Sequence, residues 1–456
     1  MWRISGHAVL ITRHHRVFRT MFMAGLAVLA LAACATDNAH TVPAGSKPAA
    51  PGGEEAMLRQ LDKLGQRAKV LHNPVAAYLL YLESYTHSSR PLRNLIGQVI
   101  AATESELGAY RRAILDYPQG APQLTHTPAP LPTADQAHAV SAAIAIAALA
   151  RTRRIVMVNE VHHDAETRLL TLELLPRLRK LGFDYFAAEA LNENDRELGA
   201  RGYPVASSGS YVREPLYGEI IRTALRLGYH VVAYDTTRAS STPAQREQDQ
   251  ADHLRERVFD KDPGARLFVH AGYAHVDKRA DYFYTATLAM RLAHDTGLDP
   301  LSVDQSILRE TAPGLEYPGY RTLLRRFAPE VPTVLMANGS DVPWSLEPAI
   351  YDISVLLPPM RLTQARPDWL RLGGIRSPVA IDVAPGHPAL PYVVEARYVG
   401  ESSDAVPADR ELIVAAATEP VLFLRPGDYR VDVLTAADRP HFLRLVHVDA
   451  SGKSGL

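Results

Sequence analysis

The sequence predicts an α/β protein: a mainly parallel sheet with flanking helices, preceded by a helical region and followed by a small β-sandwich-like domain. Three observations lead there. From Ile155 to Gly272, short apolar runs rich in β-branched residues alternate with amphipathic stretches of helical length, which implies right-handed crossovers and a sheet covered on both faces. Upstream, Met57, Leu61, Leu64, Ala68 and Leu71 recur at helical spacing. Downstream of Ser377, strand-length runs follow one another with turn residues between them. The composition agrees: 47% hydrophobic and 22% charged residues over 456 positions describe a globular chain of two or three domains and exclude a wholly disordered, coiled-coil or collagen-like one. With 49 basic against 50 acidic residues and a net charge of -1, no broad electrostatic attraction favours nucleic acid as a partner.

Residues 1–33 read as a secretory signal. Arg13, His14, His15, Arg16 and Arg19 precede an apolar run, Met21 to Ala33, that is too short to span a bilayer. It ends in Leu31-Ala32-Ala33-Cys34, which resembles the bacterial lipobox, where the chain is cut before the cysteine and the cysteine carries the lipids. Cys34 is the sole cysteine, so an intramolecular disulfide and a Cys-rich metal site are excluded, and a lipid anchor accounts for its presence. No aspartate follows it directly, and the resemblance to Gram-negative lipoproteins then implies the outer membrane, facing the periplasm. Residues 34–53, rich in Ala, Pro, Gly, Ser and Thr, read as a flexible tether. Residues 54–117 read as helical, with Pro74 ending or kinking the first stripe, and 118–133, with five prolines between Pro118 and Pro132, as a linker.

Residues 134–376 hold the strand and helix alternation. Thr133 and Gln136 have capping-box spacing ahead of an Ala-rich helix expected over 134–150. Strands are expected at 155–158, 185–189, 231–235 and 267–272, and helices at 167–181, 216–227, 244–259 and near 281–294. Apolar runs at 333–336 and 353–357 either complete this sheet or form a subdomain. From 377 to 456, strands at 379–383, 393–399, 412–416, 421–424, 429–434 and 442–448 predict the sandwich.

Ligands of open parallel sheets bind at the carboxyl ends of the strands, so the residues leaving each strand are the candidates. Strand one leaves into Asn159-Glu160-Val161-His162-His163-Asp164, strand two ends on Glu189, strand three on Asp235, and strand four continues to His275. In extended chain Glu160 and His162 point one way and His163 the other. Such a carboxylate and imidazole either ligate a divalent cation or serve as acid and base around one water, and spacing does not choose between these. Small neighbours, Ala187, Ala188 and Ala190, leave room beside Glu189 for a ligand or a packed helix. His270, inside an apolar run, reads as a core histidine, and Arg213-Glu214 as a surface pair.

The run from Val158 to Asp164, then Gly182 to Glu189, resembles the opening of the ChaN, Tiki/TraB and erythromycin-esterase superfamily, with its G-E-x-H-like motif and strand-end glutamate. Arg246-Glu247-Gln248-Asp249 is similar to the family's Arg-led helix, and Ala271-Gly272-Tyr273-Ala274-His275 to its late Gly-x-x-His. The order matches over about residues 150 to 310; Asn159 departs from the usual glycine. The resemblance implies an envelope hydrolase of ester or amide bonds acting on a small molecule or peptide. Glu160, His162, Glu189 and His275 would hold a divalent metal such as manganese or zinc, or activate a water directly, and Arg246 would steady the anionic intermediate. ChaN-like members imply an alternative, a non-enzymatic haem-binding lipoprotein of iron uptake with His163 or Tyr273 on the iron.

Overall fold

Residues 51–118, 124, 126–236, 242–280, 285–383, 388–416, 418–437, 440–452 and 454–455 are described by the computed structural model. The expected signal, Cys34 and most of the expected tether lie outside them. Four helices come first: α1 (Pro51–Val70), α2 (Pro74–His87), α3 (Arg90–Glu106) and α4 (Tyr110–Leu115). Pro74 opens α2 because its missing N–H would be unpaired there anyway, and the Asn73 side chain accepts from the next two amides at 3.0 Å each. Among the described residues no helix is long and apolar enough to cross a membrane.

The apolar faces of these helices do not close on one another alone. Leu61, Leu64, Val75, Tyr78, Ile96 and Val99 share one core with Val393, Leu412 and Leu434 from the far end of the chain. The approach is tightest at Gly108, which has φ +77° and whose absent Cβ would sit 1.9 Å from the Arg410 carbonyl oxygen. Any side chain there meets backbone, so glycine is required twice over.

An eight-stranded sheet follows, built from β1 (Ala137–Ser141), β2 (Ile155–Glu160), β3 (Tyr185–Ala188), β4 (His230–Ala233), β5 (Leu267–Gly272), β6 (Leu301–Asp304), β7 (Thr333–Ala337) and β8 (Ile353–Leu356). Its order is β1-β7-β8-β6-β2-β5-β3-β4, parallel from β8 to β4, with β7 and β1 adding an antiparallel edge. The runs near 333 and 353 therefore complete this sheet. Helices α5 (Ala142–Leu149), α6 (Leu169–Lys180) and α7 (Pro215–Arg226) cover one face through Ile146, Leu174 and Ile220. Helices α8 (Pro243–Leu254) and α9 (Leu288–Thr296) cover the other through Leu254 and Leu292. A further helix, α10 (Tyr320–Phe327), precedes β7. Both faces are buried, as the continuous apolar strands require.

The helix expected over 134–150 is half strand. Residues Ala137 to Ser141 pair with β7, Ala139 opposite Leu335 and Val140 opposite Val334, and only then does α5 begin. Alanine is the best helix former, but such a preference is small per residue, and the free edge of β7 offers a ladder that outweighs it. Thr133 and Gln136 close a turn into β1 instead of a cap, with the Thr133 amide donating to Gln136 Oε1 at 3.1 Å. The proline-rich stretch is pinned where it is described: the Ala129 amide donates to the Leu346 carbonyl at 2.7 Å, and Trp344 Nε1 to that of Pro130 at 3.1 Å.

Past a short hairpin of β9 (Leu362–Thr363) and β10 (Arg366–Pro367), the chain enters two facing antiparallel sheets. β11 (Ser377–Ala380) pairs with β14 (Val421–Leu424). β12 (Tyr392–Tyr398), β13 (Asp409–Ile413), β15 (Gly427–Thr435), β16 (His441–Val448) and β17 (Ser454–Gly455) form the other, in the order β13-β12-β15-β16-β17. Val379, Leu422 and Leu424 of the pair bury against Val394, Tyr429 and Val431 of the five, a small sandwich.

Candidate functional site

Register brings the strand ends together. Glu160, the last residue of β2, lies opposite Gly272, the last of β5, while Ala188 at the end of β3 lies opposite His270. Glu189 therefore emerges beside Gly272, and its backbone N–H donates to the His270 carbonyl at 3.0 Å. The next residue, Ala190, has φ +59°, and Tyr273, just past β5, has φ +38°. Non-glycine residues held left-handed at two adjacent strand ends mark a locally strained rim.

His162 Nδ1 meets Glu160 Oε1 at 2.8 Å. Glu160 is held in turn by Arg168, whose Nε donates to Oε2 at 2.6 Å, and by His270 Nε2 at 3.1 Å. The His162 ring lies flat on Tyr211, centroids 3.8 Å apart, and meets Tyr273 edge-on. Its orientation is thus set by one stacked ring, one perpendicular ring and a bond at one nitrogen. With Nδ1 donating to the carboxylate, Nε2 turns its lone pair the other way.

That way lies Glu189. A Cβ on Gly272 would sit 2.6 Å from His162 Nε2 and 3.0 Å from Glu189 Oε2, so the two atoms flank one point that only glycine leaves open. Glu189 accepts from Arg246 Nη2 at 2.5 Å and from the Gly272 amide. Arg246 also forks onto Asp235 at 3.1 and 3.0 Å, and Gln250 adds a bond to Asp235 at 2.9 Å. His275, on the 3-10 turn after β5, lies between two carboxylates, with Nδ1 2.6 Å from Glu247 and Nε2 3.4 Å from Glu189. Glu160, His162, Glu189, His275 and Arg246 are all at most 8% exposed.

The electrostatics follow from these partners. Burial alone would raise the Glu160 carboxyl, but Arg168 and His270 hold it well below the usual range. Burial likewise opposes ionisation of Glu189, and His275 and Arg246 pull it well below. For His275 burial favours the neutral ring, yet Glu247 and Glu189 push its pKa up to about 10. Glu160 and Glu189 are therefore favoured as carboxylates and His275 as an imidazolium at neutral pH.

Of the remaining candidates, His163 lies apart from this centre and Tyr273 borders it. His163 stacks under Tyr117 at 3.5 Å, 2% exposed, and burial with Arg309 nearby drives its pKa well below the usual value. The Tyr273 ring stands perpendicular to that of His162, centroids 5.2 Å apart. The two residues proposed for iron thus have separate neighbours. Of the residues expected to hold a divalent cation, Glu160 is paired with Arg168 and Glu189 with Arg246. Among the described residues no group of three or more His, Cys, Asp or Glu side chains is disposed to hold a metal ion.

Four contributors escape the strand-end reading. Arg168 ties Glu160 to Glu214 at 3.0 Å, and Glu214, 3% exposed, caps α7 and accepts from Tyr110 at 2.8 Å. Glu214 is therefore no surface residue; Arg213 does reach the surface, paired with Glu106. His270 is in the core, but bonded to Glu160 and to Thr171. Glu247, beside Arg246 on α8, is the counter-ion of His275; its position next to an already suspected arginine was the one signal available.

No family model matches the chain, and no curated protein matches it. Among solved structures, an effector domain, RRSP, of a MARTX toxin from Vibrio vulnificus CMCP6 aligns at 13% identity over 65% of this chain, with a TM-score of 0.28. The aligned part spans 60% of that effector domain's own length, and a likeness of this size carries no argument about fold or function.

Proposed function

We propose that the chain is a cell-envelope hydrolase that cleaves an ester or amide bond by paired acid and base catalysis. The supporting observation is that two histidines flank Glu189: His162, oriented by Glu160, has Nε2 beside the point that Gly272 leaves open next to Glu189, and His275 lies between Glu189 and Glu247, which favour its imidazolium. Water attacks the carbonyl carbon as His162 Nε2 takes its proton. The oxyanion that forms is stabilised by the positive charge of His275, which then protonates the leaving oxygen or nitrogen. Glu160 fixes the His162 ring, and Glu189, itself held by Arg246, fixes His275. Arg246 thereby acts by positioning Glu189. The resemblance to the ChaN, Tiki and erythromycin-esterase superfamily supports the same reading, and Cys34 in its lipobox-like setting supports a lipid-anchored protein facing the periplasm.

The test is a screen of soluble protein, residues 37–456 purified without chelator, against chromogenic esters and peptide libraries, with metal content measured on the same samples. His162→Ala and Glu189→Ala are expected to lose at least about 100-fold in rate. Undiminished hydrolysis in both would end the assignment. Near-stoichiometric manganese or zinc that falls away in His162→Ala would replace the metal-free route with a metal-assisted one, and iron with a Soret band would favour the haem alternative.

A further inference from the structure

A second cluster of charge, away from the strand ends, sits where α7 meets the C-terminal sandwich. Glu219, Arg222 and Arg226 lie on one side of α7. Arg376 arrives just ahead of β11, Arg425 just after β14, and Glu401 follows β12. Arg222 is committed to Glu401 at 2.8 and 2.5 Å and to the Val406 carbonyl, but its Nη1 is buried without a hydrogen-bond partner. Arg425 Nη2 reaches Glu219 Oε1 at 2.8 Å while its Nε is buried and unpartnered. Arg226 is 3.7 Å from the same carboxylate and bonds Thr223.

Arg376 is the anomaly. It is 1% exposed, its Nη2 stands 3.6 Å from Glu219 Oε2, and neither terminal nitrogen has a hydrogen-bond acceptor. Glu219 Oε2 is itself buried and, beyond that long ion pair, has no hydrogen-bond partner. A guanidinium stays charged in a protein, and burying one with its donors unmet is unfavourable unless an acceptor joins it. Four guanidiniums face two carboxylates here, so an acceptor that also brings negative charge fits better than a neutral one. The carboxyl end of α7 carries a partial negative charge of about one half, which opposes an anion but is smaller than the two-charge excess.

We infer that this seam binds a small tetrahedral oxyanion of the phosphate type, with Arg376 and Arg222 as its floor and Arg425 as its rim. Arg425, with 23% of its side chain exposed, and Arg226, with 57%, give the cluster a side open to solvent. A tetrahedral oxyanion presents several acceptors to guanidinium forks, which is the geometry they match. The site would fasten α7 to the sandwich, independently of the hydrolase reading.

Titration calorimetry of residues 37–456 with inorganic phosphate, against sodium chloride at matched ionic strength, tests this. One phosphate per chain is expected, bound about 10- to 100-fold more weakly by Arg376→Gln, as the loss of charged hydrogen bonds implies. Because Arg376 is buried and its variant could unfold, Arg425→Gln, at the rim, should weaken binding with the fold intact by circular dichroism. Glu219→Gln should tighten it. Glycerol phosphate binding as well as the free ion would identify an esterified phosphate as acceptable; binding of the free ion alone would restrict the site to inorganic anion. No phosphate-specific heat in the wild type, or wild-type affinity in both arginine variants, would overturn the proposal.

Discussion

Replacing Glu247 by glutamine tests the charge state on which the proposed chemistry depends, without needing a substrate. Glu247 Oε1 lies 2.6 Å from His275 Nδ1, whereas Glu189 approaches the other nitrogen only to 3.4 Å. Together they raise His275 to about 10 against burial, and relative to an ordinary value near 6.5 this is worth roughly 5 kcal/mol at ~1.4 kcal/mol per pH unit. The nearer carboxylate carries the larger share, so Glu247→Gln should lower the titration by at least roughly two pH units, about 3 kcal/mol, to about 8 or below. The amide oxygen can still accept from the Leu288 amide, as Glu247 Oε2 does, so the substitution is mild sterically. The sign for stability follows from a folded value above the unfolded one. His275 stabilises the wild type fully below about pH 6.5, and that stabilisation is lost as pH rises through about 10. In the variant the loss should be complete near pH 8 and smaller in total. Histidine Cε1–H resonances followed from pH 5 to 10.5, with urea unfolding at the same pH values, read both quantities. A wild-type His275 already neutral at pH 7, or a variant titrating within about half a pH unit of it, would refute the reasoning.

Gly272→Ala would place a Cβ 2.4 Å from His162 Cε1, and displacing that ring by about an ångström should cost about 100-fold in hydrolysis with little change in circular dichroism. Arg168→Met strips the counter-ion from buried Glu160 and Glu214 and should destabilise the fold by about 3–5 kcal/mol in urea titrations. Gly108→Ala combines a left-handed backbone with a backbone clash and should lower stability by more than about 1 kcal/mol, measured by thermal unfolding. Because Glu160 and Glu189 are depressed in the folded state, their stabilisation is present above about pH 4.3, their unfolded value, and is lost as pH falls through the folded values; acid unfolding curves should show the decline starting there.

The alternation of strand and helix was legible because the parallel strands are buried on both faces, which leaves uninterrupted apolar runs such as Ile155 to Val158. The strand ends were legible for the same reason: a carboxylate or imidazole after such a run stands out. What surrounds them was not. Arg168 reaches Glu160 from the turn before α6, and Glu214 reaches Arg168 from the cap of α7, contacts across sequence gaps of 8 and 46 residues that no periodicity encodes. Glu214 looked like half of a surface pair because its neighbour Arg213 does reach the surface, and His270 looked inert because its neighbours are apolar. The edge strand β1 was hidden by alanine, whose helical preference yields to a waiting β7.

The joining of the first helices to the last strands has a consequence for the order in which the chain can fold. Leu61 and Val75 find Val393, Leu412 and Leu434 only after more than 300 intervening residues have emerged, so in a chain delivered from its amino end the helices wait with an apolar face uncovered. The export proposed above would lengthen that wait, and chaperones that hold the emerging chain should matter more here than for a protein whose first elements pack on one another. Ending the chain before Ser377 would make the wait permanent: such a truncation tests the exposed helices as much as the missing sandwich.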